Sequence, residues 1–161
     1  MATGAGRVPF PSEMTASRNE RYLAAAIHGF SIPFPYVAAI IGFVVAKATG
    51  QPYARYHAAK ALFSELAATA VTVTITVISL ALSVPSFMKV LEGRWDEIDW
   101  WMVLTKAVVV WLAIAAFGLW NTVASIIQGL RALQGEDWGK PKLVDRWARR
   151  AAGVTHEVVR A

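Results

Sequence analysis

Three long apolar runs dominate the sequence and restrict the folds that this chain can adopt. They cover residues 22–46, 61–84 and 102–127. A helix needs roughly 20 apolar residues to cross a hydrocarbon core of about 30 Å, and each run meets that length. The alternative is a bundle in water, but 161 residues are too few to bury three helices that are apolar all round. The runs predict an all-α integral membrane protein with three transmembrane helices.

The flanking segments predict three parts: a polar arm (1–20), a transmembrane domain (21–140) and a basic amphipathic tail (141–161). The arm has no apolar stretch long enough for a signal-peptide core, so we expect the first span to be an uncleaved anchor. Cysteine is absent, which excludes disulfides and thiolate chemistry. No nucleophile elbow, phosphate loop or HxxxH-type metal spacing occurs, so neither catalysis nor a metal site is predicted.

The net charge of +5 is interpreted as membrane topology rather than nucleic-acid binding, because cytoplasmic loops are rich in Lys and Arg. With three spans, ten cations lie on the side of the tail and six on the side of the N-terminus. This predicts a bacterial inner-membrane protein with its N-terminus outside and its C-terminus in the cytoplasm.

Small and polar residues follow one face of each span. Pro33 and Pro35 predict a kink in the first span. Small residues at four-residue spacing let a neighbouring helix approach closely, and hydroxyl or amide side chains can bond between helices. We therefore predict packing faces, with a water-filled path as the alternative for the polar seams of the second and third spans. The predicted packing residues are Ala38, Gly42, Ala46, Thr72, Thr76, Ser79, Gly118, Asn121 and Ser125.

Glu65 lies inside the second predicted span, where a carboxylate is costly and is paired or functional. Its predicted structural partners are Arg131 and Gln128 at the end of the third span, or Lys60 on its own helix. A transport or protein-insertion role, using Glu65 and the polar seams, is the alternative.

Two histidines lie near the beginnings of the first two apolar runs. His28 follows Ala24 by one turn, which would leave room for a tetrapyrrole; a bacteriochlorophyll or haem ligand and a hydrogen-bonded interfacial residue are both open. No cofactor is required by the sequence. His57 stands in RYHAAKAL with Arg55 and Lys60, and these three residues predict a polar cluster at the membrane interface.

The tail combines an apolar stripe containing Trp147 with Arg146, Arg149 and Arg150. Such a helix suits the surface of an anionic leaflet, so anionic lipid is the predicted partner, with a neighbouring subunit as the alternative.

The segments ERYLAAAIHGFSIP, YARYHAAKAL and IIQGLRALQGEDWGKP resemble, in order, the marks of a bacterial family related to the Tic-twenty chloroplast import component. The resemblance implies a small helical membrane protein without a defined activity. We therefore predict a non-catalytic accessory subunit that associates with other membrane subunits, in a photosynthetic or respiratory complex. A transport or insertion component and a pigment- or haem-binding subunit are the alternatives.

Overall fold

The computed structural model describes residues 16–136 and 142–153, and every regular element in these ranges is helical. The helices are α1 (Arg18–Phe30), α2 (Val37–Ala48), α3 (Pro52–Leu91), α4 (Trp100–Leu133) and α5 (Lys142–Ala152), with a short 3₁₀ turn at Trp95–Glu97. The all-α prediction is confirmed for this part of the chain. Most of the predicted polar arm and residues 154–161 of the predicted tail lie outside the described residues.

Two helices, α3 and α4, are long and apolar enough to cross a membrane. Their most apolar stretches have mean hydropathies of 2.0 and 2.2, and none of either stretch is buried. The core helix of a water-soluble protein would bury such a surface. Here large side chains such as Val77, Leu80 and Trp111 are exposed along the helices. This exposure favours lipid as the surrounding medium.

The predicted first span is two short helices, so a third transmembrane helix is not confirmed. Residues 31–36 separate α1 from α2, and Pro33 and Pro35 lie in this break. Tyr36 has a φ of 65°, a left-handed conformation outside any helical path. Helices of 13 and 12 residues are about 20 and 18 Å long, which is less than the apolar thickness of a bilayer. The expected kink is thus a complete break.

The helices α1 and α2 pack against each other through small residues. Ala39, Gly42 and Ala46 are the buried residues of α2. Gly42 lies opposite Ile27 of α1, and a Cβ at this glycine would stand 2.4 Å from Ile27 Cγ1. The packing face therefore includes the predicted Gly42 and Ala46, whereas Ala38 is half-buried and its neighbour Ala39 is fully buried.

The chain divides into two compact units. The first unit comprises residues 1–66 and 122–161, and thus holds α1, α2, α5, the start of α3 and the end of α4. The second unit, residues 67–121, holds the rest of α3 and α4 and the loop that joins them. Within the described residues, nearly all buried side chains belong to the first unit, and Ile98 is the exception.

Candidate functional site

The buried part of α3 is its most polar part. All ten of its buried residues fall between Tyr53 and Glu65, and they include His57 and Lys60. The apolar remainder of the helix has none. A charged segment can be buried only where hydrogen bonds and opposite charges replace water. The RYHAAKAL segment is accordingly the centre of a buried polar cluster, defined here as His28, Tyr53, Tyr56, His57 and Lys60.

His28 and His57 join α1 to α3. His28 Nε2 lies 3.1 Å from His57 Nδ1, and both side chains are buried. One of these two nitrogens must carry a proton and donate it, and the other must be unprotonated and accept it. His28 Nε2 therefore faces another imidazole. The pigment- or haem-ligand role of His28 stays a prediction. No group of three His, Cys, Asp or Glu side chains in the described ranges is arranged to hold a metal ion.

Tyr53 ties the start of α3 to α1 and to the end of α4. Its hydroxyl donates to the carbonyls of Ala132 at 3.1 Å and Glu136 at 3.3 Å. Its backbone N–H donates to Glu20 Oε1 at 3.4 Å. Glu20 also completes a capping box with Ser17 at the beginning of α1. The Tyr53 ring lies 4.6 Å from the His57 ring. Tyr53 therefore packs against His57 with its ring and bonds to α1 and to the end of α4 with its polar atoms.

Tyr56 holds α5 against α3. Its hydroxyl donates to Asp145, which also accepts from Arg149 Nε at 2.9 Å. Lys60 Nζ and the Arg149 guanidinium lie 5.5 and 5.4 Å from the centre of the Tyr56 ring, within the range of cation–π attraction. Arg149 was predicted to be part of the docking surface of the tail. It is instead buried, because its partners are within the chain.

Asp145 makes the attachment of α5 dependent on pH. Burial raises the pKa of its carboxyl, but the hydrogen bonds from Tyr56 and Arg149 outweigh burial and hold the pKa below its ordinary value. A carboxyl with a lowered folded-state pKa stabilises the fold above its unfolded-state pKa, and the contribution is lost as the pH falls through the folded-state value. The docking of α5 should therefore be constant from neutral pH to about pH 4 and weaken in stronger acid.

Asp145→Asn is expected to loosen α5 at pH 7 by about 1 kcal/mol, because the amide cannot replace the charge-assisted bond to Arg149. The chain has no cysteine, so Ala148→Cys provides a single thiol on the buried face of α5. Its alkylation in the Asp145→Asn background should be about fivefold faster at pH 7. Asp137→Asn is the charge-matched control. Equal alkylation rates in the parent and in Asp145→Asn would contradict this role of Asp145.

Glu65 lies at the end of the buried segment of α3, and its pairing with Lys60, Gln128 or Arg131 stays a prediction. Its backbone carbonyl accepts a hydrogen bond from the Tyr36 hydroxyl at 3.1 Å, and its side chain is buried. Arg131 pairs with Glu136, five residues further along the chain. Gln128 is buried, and neither atom of its amide has a hydrogen-bond partner among the described residues. The transport role of Glu65 stays a prediction.

In the polar seam of α3, two hydroxyl groups donate hydrogen bonds to carbonyls of the same helix. Thr76 Oγ1 donates to the Thr72 carbonyl at 2.9 Å, and Ser83 Oγ donates to the Ser79 carbonyl at 2.8 Å. Ser125 is buried in the first unit, whereas a Cβ at Gly118 would meet only open space. Asn121 is half-buried.

The loop between α3 and α4 concentrates carboxylates outside the apolar helices. Arg94 binds Glu92 and Glu97, and Lys89 Nζ lies 3.9 Å from Glu97. The hydrogen bond from Arg94 lowers the pKa of Glu97. Asp99 Oδ1 accepts from the Met102 N–H at 3.0 Å. Asp96 is exposed and has no ion pair among the described residues. We call residues 92–99 the acidic loop.

Several residues of the buried cluster were missed in the sequence. Tyr53 and Tyr56 belong to the cluster, and Glu20 and Asp145 next to it accept hydrogen bonds from these two tyrosines. A signal did exist for three of them. Ser17 and Glu20 have the spacing of a capping box, and Tyr53 and Tyr56 share a helix face with His57 and Lys60.

The sequence model of the MamF/MmsF family, the magnetosome magnetite crystal formation protein family, matches residues 19–147. The match covers most of the chain, from α1 into α5. It overturns the resemblance to the Tic-twenty-like family, and with it the assignment to photosynthesis. Each segment that carried the resemblance is short, so the three segments did not identify the family by themselves. No curated protein and no solved structure matches the chain.

Proposed function

Because the chain belongs to the MamF/MmsF magnetosome magnetite crystal formation protein family, we propose that it acts on the growing crystal from the surrounding membrane. The observation that carries this proposal is an acidic loop between two exposed apolar helices. Carboxylate oxygens are ligands for hard cations such as those of iron oxide. Their arrangement is a solvent-facing surface rather than a chelating cage, which favours contact with a mineral face over storage of single ions. The proposed role is non-catalytic.

Contacts within the first unit support one membrane topology for α1 and α2. Ala16 before α1, Tyr53 at the start of α3 and Ala132 at the end of α4 belong to one buried cluster. The Arg21 guanidinium carbon would lie 3.0 Å from a Cβ at Gly135. We infer that α1 and α2 form a hairpin that enters and leaves from one side of the membrane. If α3 and α4 then cross once each, the acidic loop emerges on the opposite side.

The charge distribution supports this two-span topology better than the three-span topology. With two crossings, 13 of the 16 Lys and Arg residues lie on the side of the two termini. The three on the other side are Lys89, Arg94 and Lys106. The three-span arrangement gives ten against six. Because Lys and Arg are retained in the cytoplasm, the larger asymmetry favours cytoplasmic termini and an acidic loop on the non-cytoplasmic side of the membrane.

Topology reporters test this arrangement. A reporter fused before Met1 and one fused after Ala161 should both be cytoplasmic, whereas a reporter inserted in the acidic loop should be on the other side. The three-span topology expects the two termini on opposite sides. An N-terminal reporter outside the cytoplasm would therefore contradict the hairpin.

Charge changes of opposite sign in the acidic loop test the function. Asp96→Asn removes an exposed carboxylate, and Arg94→Gln releases Glu92 and Glu97 from their ion pairs. In cells that form magnetite and lack the native gene, we expect the two variants to shift crystal size or number in opposite directions. The measurement is electron microscopy of crystals at matched protein levels. Lys106→Gln is the control that changes charge outside the loop. If both variants restore crystals like the parent, the acidic loop is not the contact with the mineral.

The predicted accessory-subunit role is compatible with this proposal. The exposed apolar faces of α3 and α4 can contact lipid or neighbouring membrane proteins, and either would cover side chains such as Trp111 and Leu119. Co-purification of the full chain from magnetosome membranes in mild detergent, followed by mass spectrometry, tests for neighbours. Recovery of the chain alone would favour a function without stable subunits.

A further inference from the structure

The helix α5 has an inner and an outer face that differ in chemistry. Val144, Ala148 and Ala152 are buried on the inner face, and the two alanines pack with Tyr56 and Ala59 of α3. The outer face exposes a different set of residues. This set consists of Leu143, Arg146, Trp147 and Arg150. We call these four residues the outer face of α5.

The apolar members of the outer face lie next to the beginning of the apolar part of α3. The Trp147 ring is 5.8 Å from the ring of Phe63, and both rings belong to the first unit. Phe63 follows Lys60 of the buried polar cluster and is the third residue of the apolar run at 61–84. Leu143 is 51% exposed and Trp147 is 41% exposed, although each is large and apolar. Tryptophan at such a boundary is typical of the headgroup region of a bilayer.

No carboxylate among residues 16–136 and 142–153 pairs with the charged members of the outer face. Asp145, on the same helix, accepts from Tyr56 and the buried Arg149. Among the described residues, neither Arg146 nor Arg150 forms an ion pair. Two exposed guanidinium groups beside an exposed leucine and tryptophan match a surface with phosphates outside and hydrocarbon beneath. Guanidinium binds phosphate oxygens through two parallel N–H donors.

We propose that the outer face of α5 binds anionic phospholipid, with Arg146 and Arg150 on the headgroup phosphates and Leu143 and Trp147 in the underlying hydrocarbon. Each cation near an anionic leaflet contributes attraction that falls off within a Debye length. The inner face keeps α5 attached to α3 whether or not lipid is bound. The outer face therefore makes the first unit sensitive to the lipid composition of the leaflet that it contacts. This property is independent of the acidic loop and of the proposed role in crystal formation.

A single probe on the outer face tests the proposal in the full chain. Leu143→Cys, labelled with an environment-sensitive fluorophore, is reconstituted in phosphatidylcholine vesicles with increasing fractions of phosphatidylglycerol. Nitroxide lipids labelled near the headgroup report contact by quenching. We expect quenching to rise with the anionic fraction. In the background of Arg146→Gln with Arg150→Gln, half-maximal quenching should need about a tenfold higher anionic fraction.

Two controls keep the outcome interpretable. The double variant Lys89→Gln with Lys106→Gln removes the same charge elsewhere in the chain and should give the same quenching curve as the parent. Slow alkylation of Ala148→Cys in the double Arg variant would show that α5 is still attached by its inner face. A probe that is not quenched at any lipid composition, or a curve unchanged by the double Arg variant, would overturn the proposal. An unquenched probe that becomes exposed on dilution would identify a second copy as the occupant instead.

Discussion

Replacing Gly42 by leucine is expected to separate α2 from α1. Even a single Cβ at this position would stand 2.4 Å from Ile27 Cγ1 and 2.6 Å from Ile27 Cδ1, so the smaller change to alanine already forces a shift. Overpacking of this kind costs about 1–3 kcal/mol, and a leucine adds three more carbons at the same contact. The thiol of Ala39→Cys, which is fully buried in α2, should therefore be alkylated at least tenfold faster in the Gly42→Leu background.

A compensating substitution makes this result specific. Ile27→Ala removes the atoms that meet the new side chain, so Gly42→Ala with Ile27→Ala should be more protected than Gly42→Ala alone. Gly29→Ala is the matched control, because Gly29 lies in the neighbouring helix α1 and a Cβ there meets nothing within 4 Å. Protection of the Ala39→Cys thiol that is equal in Gly42→Leu and in the parent would contradict the tight contact between α1 and α2.

The second large effect is expected for His57→Ala, which empties the centre of the buried polar cluster. The imidazole is 1% exposed and lies between the rings of His28, Tyr53 and Tyr56, at 5.3, 4.6 and 5.3 Å. Replacing a buried ring by alanine leaves a cavity and costs about 3–5 kcal/mol. The substitution also removes the partner of His28 Nε2. We expect a large decrease in the temperature at which tryptophan fluorescence in detergent reports unfolding.

A cycle of variants separates the hydrogen bond from the cavity. His57→Asn retains a polar atom near the position of Nδ1, so it should lose less stability than His57→Ala. His28→Ala and His57→Ala should be less than additive by about 1 kcal/mol when combined, because either change alone breaks the same bond. Additive losses would show that the two imidazoles contribute independently, contrary to the 3.1 Å contact.

Much of the fold follows from apolar length alone. The runs at 61–84 and 102–127 predicted two long helices, and α3 and α4 contain them. A run of more than about 20 apolar residues has few stable forms other than a helix in lipid. The tail also formed the amphipathic helix that its spacing predicted, α5, within the described residues. Local periodicity and length are properties of a short segment, so they can be read without knowing its neighbours.

The first span could not be read in the same way. Residues 22–46 are long and apolar enough to cross, and two prolines predicted only a kink. Whether a proline bends a helix or ends it depends on the packing around the freed backbone groups. Here the missing side chain of Gly42 lets Ile27 pack closely against α2, and that contact favours a hairpin of two short helices over one long helix.

Length and local residue spacing thus predicted the helical class, the two apolar helices and the amphipathic character of α5. Packing between helices decided which polar residues meet. His28 and His57 are 29 residues apart and Tyr56 and Asp145 are 89 apart, and no periodicity links positions at such separations. It also decided that Arg149 faces inward while Arg146 and Arg150 face outward. Residue spacing places a side chain on one face of a helix, but the packed neighbour determines whether that face meets lipid, water or protein.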